Sequence, residues 1–291
     1  MIFVTTPSGG IGSQVVVYLL QAGASLRVIA RHPEKLAHLR DCVDIVEGSH
    51  ADAATLGPAL DGVDRVFWLP PGSPDNLDAD AAYVGFTQAF CDALPGSSVR
   101  HVVGISALGR GWDGSAGLVE ASLRMDDRIA ATGVAYRALA CGSLMDNIIR
   151  QIEPIREAGA FYGPIPGDVA LPHVARRDVA AVAAKLLSQA DWNGIEEIAL
   201  CGPETLSHNR MADIMSEVLN RDVTYVEIPM AAFGETLRAG GATDGMARDY
   251  MDMYAAKAAG MDTMEREIDR TLTPTTFREW CEAELLPAVR G

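Results

Sequence analysis

The sequence contains no apolar run approaching the ~20 residues a membrane-spanning helix needs, so no membrane partner is expected. It opens without the pattern of a leader, since a strand-like segment starts at Ile2, and the reading predicts a cytoplasmic protein. Cysteine is scarce and scattered. Cys42, Cys91, Cys141, Cys201 and Cys281 form no CxxC pair and no zinc-ligand spacing, which points to buried or incidental thiols and to no metal site. Positive charge is short as well: 24 Lys and Arg stand against 39 Asp and Glu, a formal net charge of -15. That balance excludes a nucleic-acid partner, which needs clustered cations to neutralise phosphates. It does not exclude an anionic nucleotide, where local N–H groups and a few placed cations decide. Internal repeats and low-complexity linkers are also absent.

What is present is an alternation. β-Branched apolar runs at 2–5, 26–30, 43–47, 65–69 and 101–105 predict strands. Helical patterns at 11–22, 33–39, 53–60 and 83–94 lie between them, and a further helix at 118–132 leads into a strand at 135–139. Strands separated by helices imply right-handed parallel crossovers, hence an α/β, Rossmann-type doubly wound parallel sheet. The boundary is expected near residue 145: a nucleotide-binding domain over 1–145, then a smaller α+β substrate-binding region over 146–291 at the carboxyl edge of the sheet. In that second part the patterns predict a helix at 179–188 opened by Asp178 as N-cap, a strand at 197–200, a helix at 210–219 and a strand at 223–228. The closing "TPTTFREW" has Thr276 and Glu279 at capping-box spacing.

Directly after the first strand comes "TTPSGGIG". Gly9 and Gly12 stand three apart where a helix begins, the setting in which backbone N–H groups and the helix dipole meet a pyrophosphate. The first glycine of that rhythm is missing; Thr6 stands there, followed by Pro7, so the turn is a variant in which Thr or Ser hydroxyls can help hold phosphate. A plain β–α turn remains the alternative. The second strand ends in Arg31, where an NAD-preferring site usually carries an acid for the ribose hydroxyls. A cation there, with Lys35 behind it, can pair with a 2′-phosphate, so NADP(H) is expected over NAD(H). The alternative for Arg31 is a solvated cation at a helix start.

With these residues in view, the chain resembles the NmrA-like family of atypical short-chain dehydrogenase/reductase folds. "VTTPSGGIGSQVVVYLL" is similar to the family opening, "VIARHPEKL" to its second strand and turn, and "VEGSHADAATLGPALDGVDRVFWLPP" to its third and fourth strands, with Ser49 where an acid is usual. "AATGVAYRALACGSLMDN", "RRDVAAVAAKLL", "GPETLSHNRMADIMSEVL" and "TPTTFREW" match later signatures. The family includes NAD(P)H-binding regulators and NAD(P)H-dependent quinone and dye reductases. The resemblance implies that Thr6, Ser8, Gly9, Gly10, Ile11 and Gly12 meet pyrophosphate, that Arg31 meets the adenosine phosphate, and that Ser49 and His50 flank adenine. It places Leu69, Pro70 and Pro71 along the ribose, and residues 104–107 (with Ser106) and 140–144 (with Gly142) near the nicotinamide.

One further absence bears on the chemistry. Typical short-chain reductases use a Ser–Tyr–Lys set, and Ser106 stands at the serine position, but 117–133 holds neither tyrosine nor lysine. The positions that carry a lysine and an acid in many NmrA-like proteins hold Ser122 and Asp126 here; Asp126 and Asp127 read as a solvated helix face. Hydride transfer to a quinone-like electrophile needs little acid catalysis, so an NADP(H)-dependent oxidoreductase acting on a small apolar electrophile is expected. A noncatalytic NADP(H) sensor and a non-redox pathway enzyme stay open. Ser106 and His173 are the candidate catalytic residues; Trp112, Leu144, Phe233, Tyr250 and Tyr254 are candidates for the substrate wall. Tyr250 and Tyr254 share a helix face. The same residues also suit a core or a dimer surface, which leaves a homodimer open.

Overall fold

A computed structural model describes residues 1–189 and 191–291. In chain order the elements are β1 (Ile2–Val4), α1 (Gly10–Gln21), β2 (Leu26–Ala30), β3 (Asp44–Glu47), α2 (Ala53–Ala59), β4 (Arg65–Trp68), α3 (Phe86–Ala93), β5 (His101–Ala107), α4 (Leu118–Ala131), β6 (Ala135–Cys141) and β7 (Ser143–Leu144). There follow α5 (Ile152–Ala158), β8 (Ala160–Gly163), β9 (Ala170–Val174), α6 (Arg176–Gln189), β10 (Ile195–Leu200), β11 (Thr205–Ser207), α7 (His208–Leu219) and β12 (Thr224–Glu227). The chain closes with α8 (Met230–Ala239), α9 (Asp244–Ala258), α10 (Phe277–Trp280) and α11 (Leu286–Arg290).

Seven strands form the main sheet in the order β10-β6-β5-β4-β1-β2-β3. β1 pairs in parallel with both β2 and β4, and the β2–β3 and β4–β5 pairs are parallel too. The expected Rossmann-type architecture is therefore observed, and the strand order reverses between β1 and β4. In such sheets a ligand takes the crevice beyond the carboxyl ends of the strands at that reversal.

Two compact units divide the chain. The first comprises Met1–Ala107, Ala121–Ala140 and Val179–Ile198; the second comprises Leu108–Glu120, Cys141–Asp178 and Ala199–Gly291. Within the first, Phe3, Val66, Trp68, Phe90, Val102 and Ile129 belong to one core, with Trp68 stacked on Phe90 at 4.0 Å between ring centroids. Strands buried on both faces must be apolar throughout, which is why these segments read so clearly as strands. On α1 the residues Ile11, Val15, Val16 and Leu19 recur at helical spacing and are buried.

Within the second unit, Phe161, Met211, Ile214, Met215, Phe277 and Trp280 share a separate core. β9 is central in a three-stranded sheet between β11 and β7, and β12 pairs in parallel with β8. Thr276 and Glu279 form the expected capping box at α10. The N-cap reading of Asp178 is corrected. α6 starts earlier, at Arg176, and the buried Asp178 carboxylate instead accepts from the Thr275 N–H at 2.9 Å and its hydroxyl at 2.8 Å. An N-cap reading takes the first acid before an apolar run as the cap; here a tertiary partner claims the acid.

Candidate functional site

The site is built first from β1 and β4. Thr5, fully buried, directly follows β1. Its hydroxyl accepts from the Leu69 N–H at 2.9 Å and lies 3.1 Å from the Phe67 carbonyl, so one side chain ties the two strand ends at the order reversal. The next residue turns the chain sharply. Thr6 adopts φ 48°, the left-handed region that a glycine would normally supply. Its carbonyl accepts from the Gly9 N–H at 2.9 Å. A Cβ on Gly12 would lie 2.2 Å from that same carbonyl, so only glycine lets the helix begin this close to the turn.

α1 then starts with no side-chain cap, and its first intrahelical bond runs from Ser13 N–H to the Gly9 carbonyl at 3.0 Å. The amides of Gly10, Ile11 and Gly12 precede that bond and face the helix N-terminus, where the dipole favours an anion. Thr6 Oγ1 is buried and without a hydrogen-bond partner. An orphaned donor, a glycine cradle that a Cβ would fill and an uncapped N-terminus together fit the pyrophosphate of a dinucleotide. Pro7 is buried and Ser8 exposed beside them.

Arg31 directly follows β2; it is exposed and makes no ion pair among the described residues. Lys35 is exposed on the 3-10 segment Pro33–Leu39, while the neighbouring Glu34 pairs with His32 and leaves both cations unopposed. Ser49 and His50 follow β3. The Ser49 hydroxyl accepts from Ala51 N–H at 3.2 Å, and His50 packs edge-on against Trp68 and Phe86, with Nε2 3.3 Å from the Leu69 carbonyl. Burial pushes His50 down to about 4, so it is neutral near pH 7. Pro70 is buried and Pro71 exposed where the chain leaves β4. The first unit thus gathers the loop, Arg31, His50 and Leu69 around the carboxyl ends of β1, β2 and β4.

Ser106 lies near the carboxyl end of β5, and its surroundings overturn the solvated reading of Asp126. That residue is 2% exposed, whereas Asp127 is exposed. The Ser106 hydroxyl donates to one Asp126 oxygen, and the Tyr136 hydroxyl from β6 donates to the other at 2.5 Å. Adjacent acids look like one polar surface in a sequence, but successive residues on a helix point about 100° apart, and here two hydroxyls compensate the inward one. Tyr136 reaches Asp126 only because Gly104 carries no side chain: a Cβ there would lie 2.2 Å from the Tyr136 hydroxyl.

The remaining candidates belong to the second unit. His173 on β9 is buried, with Nδ1 2.9 Å from the Leu171 carbonyl; burial first, then His208, pushes it down to about 3. Leu144 pairs with Val174. A Cβ on Gly142 would meet the Pro172 carbonyl at 2.7 Å. Trp112 has its indole N–H buried without a partner. Phe233 and Tyr254 meet edge to face at 4.9 Å, and burial raises the Tyr254 phenol.

Sequence reasoning missed Lys257 and Asp262 of this unit, which meet Ser143 of the expected 140–144 stretch. Lys257 on α9 is buried; it donates to Asp262 and reaches the Ser143 hydroxyl at 3.5 Å. Ser143 is the register partner of His173. Asp262 is 2% exposed, and its second oxygen has no partner. The signal available was a single lysine set among alanines in "YAAKAAGMD".

A family profile described as NAD(P)H-binding matches residues 8–190, more than half of the chain. The chain belongs to this NAD(P)H-binding family, as the NmrA-like resemblance implied. Among curated proteins, it is 27% identical over 289 residues to NAD(P)H azoreductase of Xenophilus azovorans, covering 97% of each chain. Its fold matches the NADPH complex of the NADPH-dependent quinone oxidoreductase of Escherichia coli, with a TM-score of 0.82 at 23% identity over 98% of this chain and 99% of that one. Citrobacter sp. triphenylmethane reductase, complexed with NADP(H), gives 0.79 at 19% identity over 99% and 98%. Among the described residues no helix is long and apolar enough to cross a membrane, and no His/Cys/Asp/Glu group could hold a metal.

Proposed function

We propose that this protein is an NADP(H)-dependent reductase that delivers hydride to a small apolar electrophile such as a quinone. The observation that carries the reading is the β1–α1 junction, where the orphaned Thr6 hydroxyl sits beside an uncapped helix start and a Cβ-free Gly12. Pyrophosphate contacts fall to Thr6, Ser8, Gly9, Gly10, Ile11 and Gly12. Arg31 and Lys35 meet the 2′-phosphate as unopposed cations, which is the ground for NADP(H) over NAD(H). Ser49 and His50 border the adenine, Leu69, Pro70 and Pro71 the ribose, and Ser106 and Gly142 the nicotinamide end. His173, Trp112, Leu144, Phe233, Tyr250 and Tyr254 are assigned to the substrate; His173, neutral and with its one proton on the Nδ1 that faces the Leu171 carbonyl, offers the substrate only an acceptor at Nε2 and no charge.

When bound, the reduced nicotinamide supplies the hydride. A quinone accepting it needs one proton more to become the hydroquinone, and water can provide it, so the missing Tyr and Lys are no obstacle. The similarity to an azoreductase and to quinone and triphenylmethane reductases supports acceptors of this electrophilic, delocalised kind. Steady-state NADPH oxidation over a panel of quinones and dyes tests the activity; tight NADPH binding with no turnover on any of them would sink it. For the cofactor preference, Arg31→Glu should weaken NADPH binding by about tenfold or more while sparing NADH, as read by fluorescence titration. Unchanged NADPH affinity would remove Arg31 from the assignment.

A further inference from the structure

The hydroxyl of Ser106 is committed. It donates to Asp126, which also takes the proton of Tyr136, so both oxygens of one carboxylate are engaged by hydroxyl donors. All three side chains are nearly sealed: Ser106 is 6%, Asp126 2% and Tyr136 1% exposed. They sit on three different elements, β5, α4 and β6, and Gly104 is the gap through which Tyr136 passes. A carboxylate offers only acceptors, and a serine hydroxyl has one proton. While Asp126 holds that proton, Ser106 can present only lone pairs to a ligand at the end of β5.

Resting on the cofactor reading above, we propose that Asp126 is a positioning residue that fixes Ser106 as a hydrogen-bond acceptor, and that the group Ser106 accepts from is the amine of the nicotinamide carboxamide. This is the reverse of the role its place in the sequence suggests. A serine orienting a substrate carbonyl must donate, and this one has no proton to give. Ser106 accordingly orients the cofactor ring, and the electrophile is held without it. The carboxamide suits the position because, of the groups on the nicotinamide ring, only its amine donates.

The test uses NADPH and its reduced 3-acetylpyridine analogue, in which a methyl replaces the carboxamide amine and the carbonyl stays. Binding is read by fluorescence titration of the full chain, without any acceptor. The wild type should bind the analogue about tenfold more weakly than NADPH, the scale of a hydrogen bond lost at a buried site. Ser106→Ala should abolish that ratio by weakening NADPH alone. Asp126→Asn, whose amide can donate to Ser106 and free its proton, should narrow the ratio by improving the analogue. Equal wild-type affinities would overturn the proposal, whether or not the Asp126 variant folds, because an acceptor at Ser106 cannot be blind to the amine. A ratio lost in Ser106→Ala but untouched in a folded Asp126→Asn would overturn the part assigned to Asp126. No binding of NADPH at all would instead remove the cofactor reading on which the inference stands.

Discussion

Buried polar atoms without partners fall unevenly on the two units. Among the described residues the first unit has Thr6 Oγ1 and Gln14 Oε1, both in the stretch from the loop into α1. The second has them on Trp112, Arg176, His208, Asp262 and Trp280, spread over its loops and helices. In the first unit four interior hydroxyls are matched within the fold: Thr5 to Leu69, Thr87 to Trp68, Ser106 and Tyr136 to Asp126. The contrast teaches that the orphaned polar atoms of the first unit gather at one place, the β1–α1 junction proposed above to hold the phosphates. Both units keep ionisable groups in their interiors, but the second holds the Lys257–Asp262 ion pair, buried at both partners, so its stability answers to charge.

The largest expected effect tests that last statement. Lys257→Met strands Asp262 as a buried acid with no cation, and should lower stability by about 3–5 kcal/mol in denaturant titration. Adding Asp262→Leu should recover most of it. If the single change is nearly silent, the pair does not govern the second unit.

Protons come next, taken per residue and per pH unit. Burial holds His50 and His208 down to about 4 and His173 to about 3, each from an ordinary 6.5. A histidine depressed in this way binds less proton folded than unfolded. Its stabilisation is therefore fully present above pH 6.5 and is lost as pH falls toward the folded value, by up to about 1.4 kcal/mol per pH unit for each residue. Denaturant midpoints measured downward from neutral pH should fall steadily through that window. Changing His173 and His208 to Gln should remove about two thirds of the slope, since both belong to the second unit, and His50→Gln about a third. A slope carried mainly by His50 would reverse the comparison.

The smallest effect has two signs. Thr6→Gly releases a β-branched residue from φ 48° and should stabilise the fold by about 1 kcal/mol. The same change removes the orphaned hydroxyl and should weaken NADPH binding severalfold. Tighter binding in Thr6→Gly would mean that the hydroxyl takes no part in holding phosphate.

The first unit was largely legible in the sequence for a reason visible in β2, whose predicted and observed bounds coincide at Leu26–Ala30. β2 is apolar except for Arg27, whose guanidinium reaches out to Asp44, so its run still reads as a strand, and the glycines that follow β1 answer to a single backbone carbonyl. The second unit conceals its elements. β9 carries Pro172 in the middle of a sheet, where a proline argues against a strand. α9 buries Lys257 beside Ala256, so its inward face is interrupted by a cation and no apolar period stands out. Asp126 was misread for a related reason. Its compensation comes from β5 and β6, distant in sequence, and nothing next to an acid reveals that two hydroxyls will close on it.

Gly104 has a consequence for descent. Any side chain at that position would collide with the Tyr136 hydroxyl, and Tyr136 is one of the two donors that make a buried Asp126 tolerable. Positions 104, 126 and 136 can therefore drift only as a set. A lineage that gains even an alanine at 104 must surrender the tyrosine, and after it the acid. A glycine in mid-strand, with an acid twenty-two residues on and a tyrosine ten beyond that, is thus the sequence pattern that this buried arrangement requires.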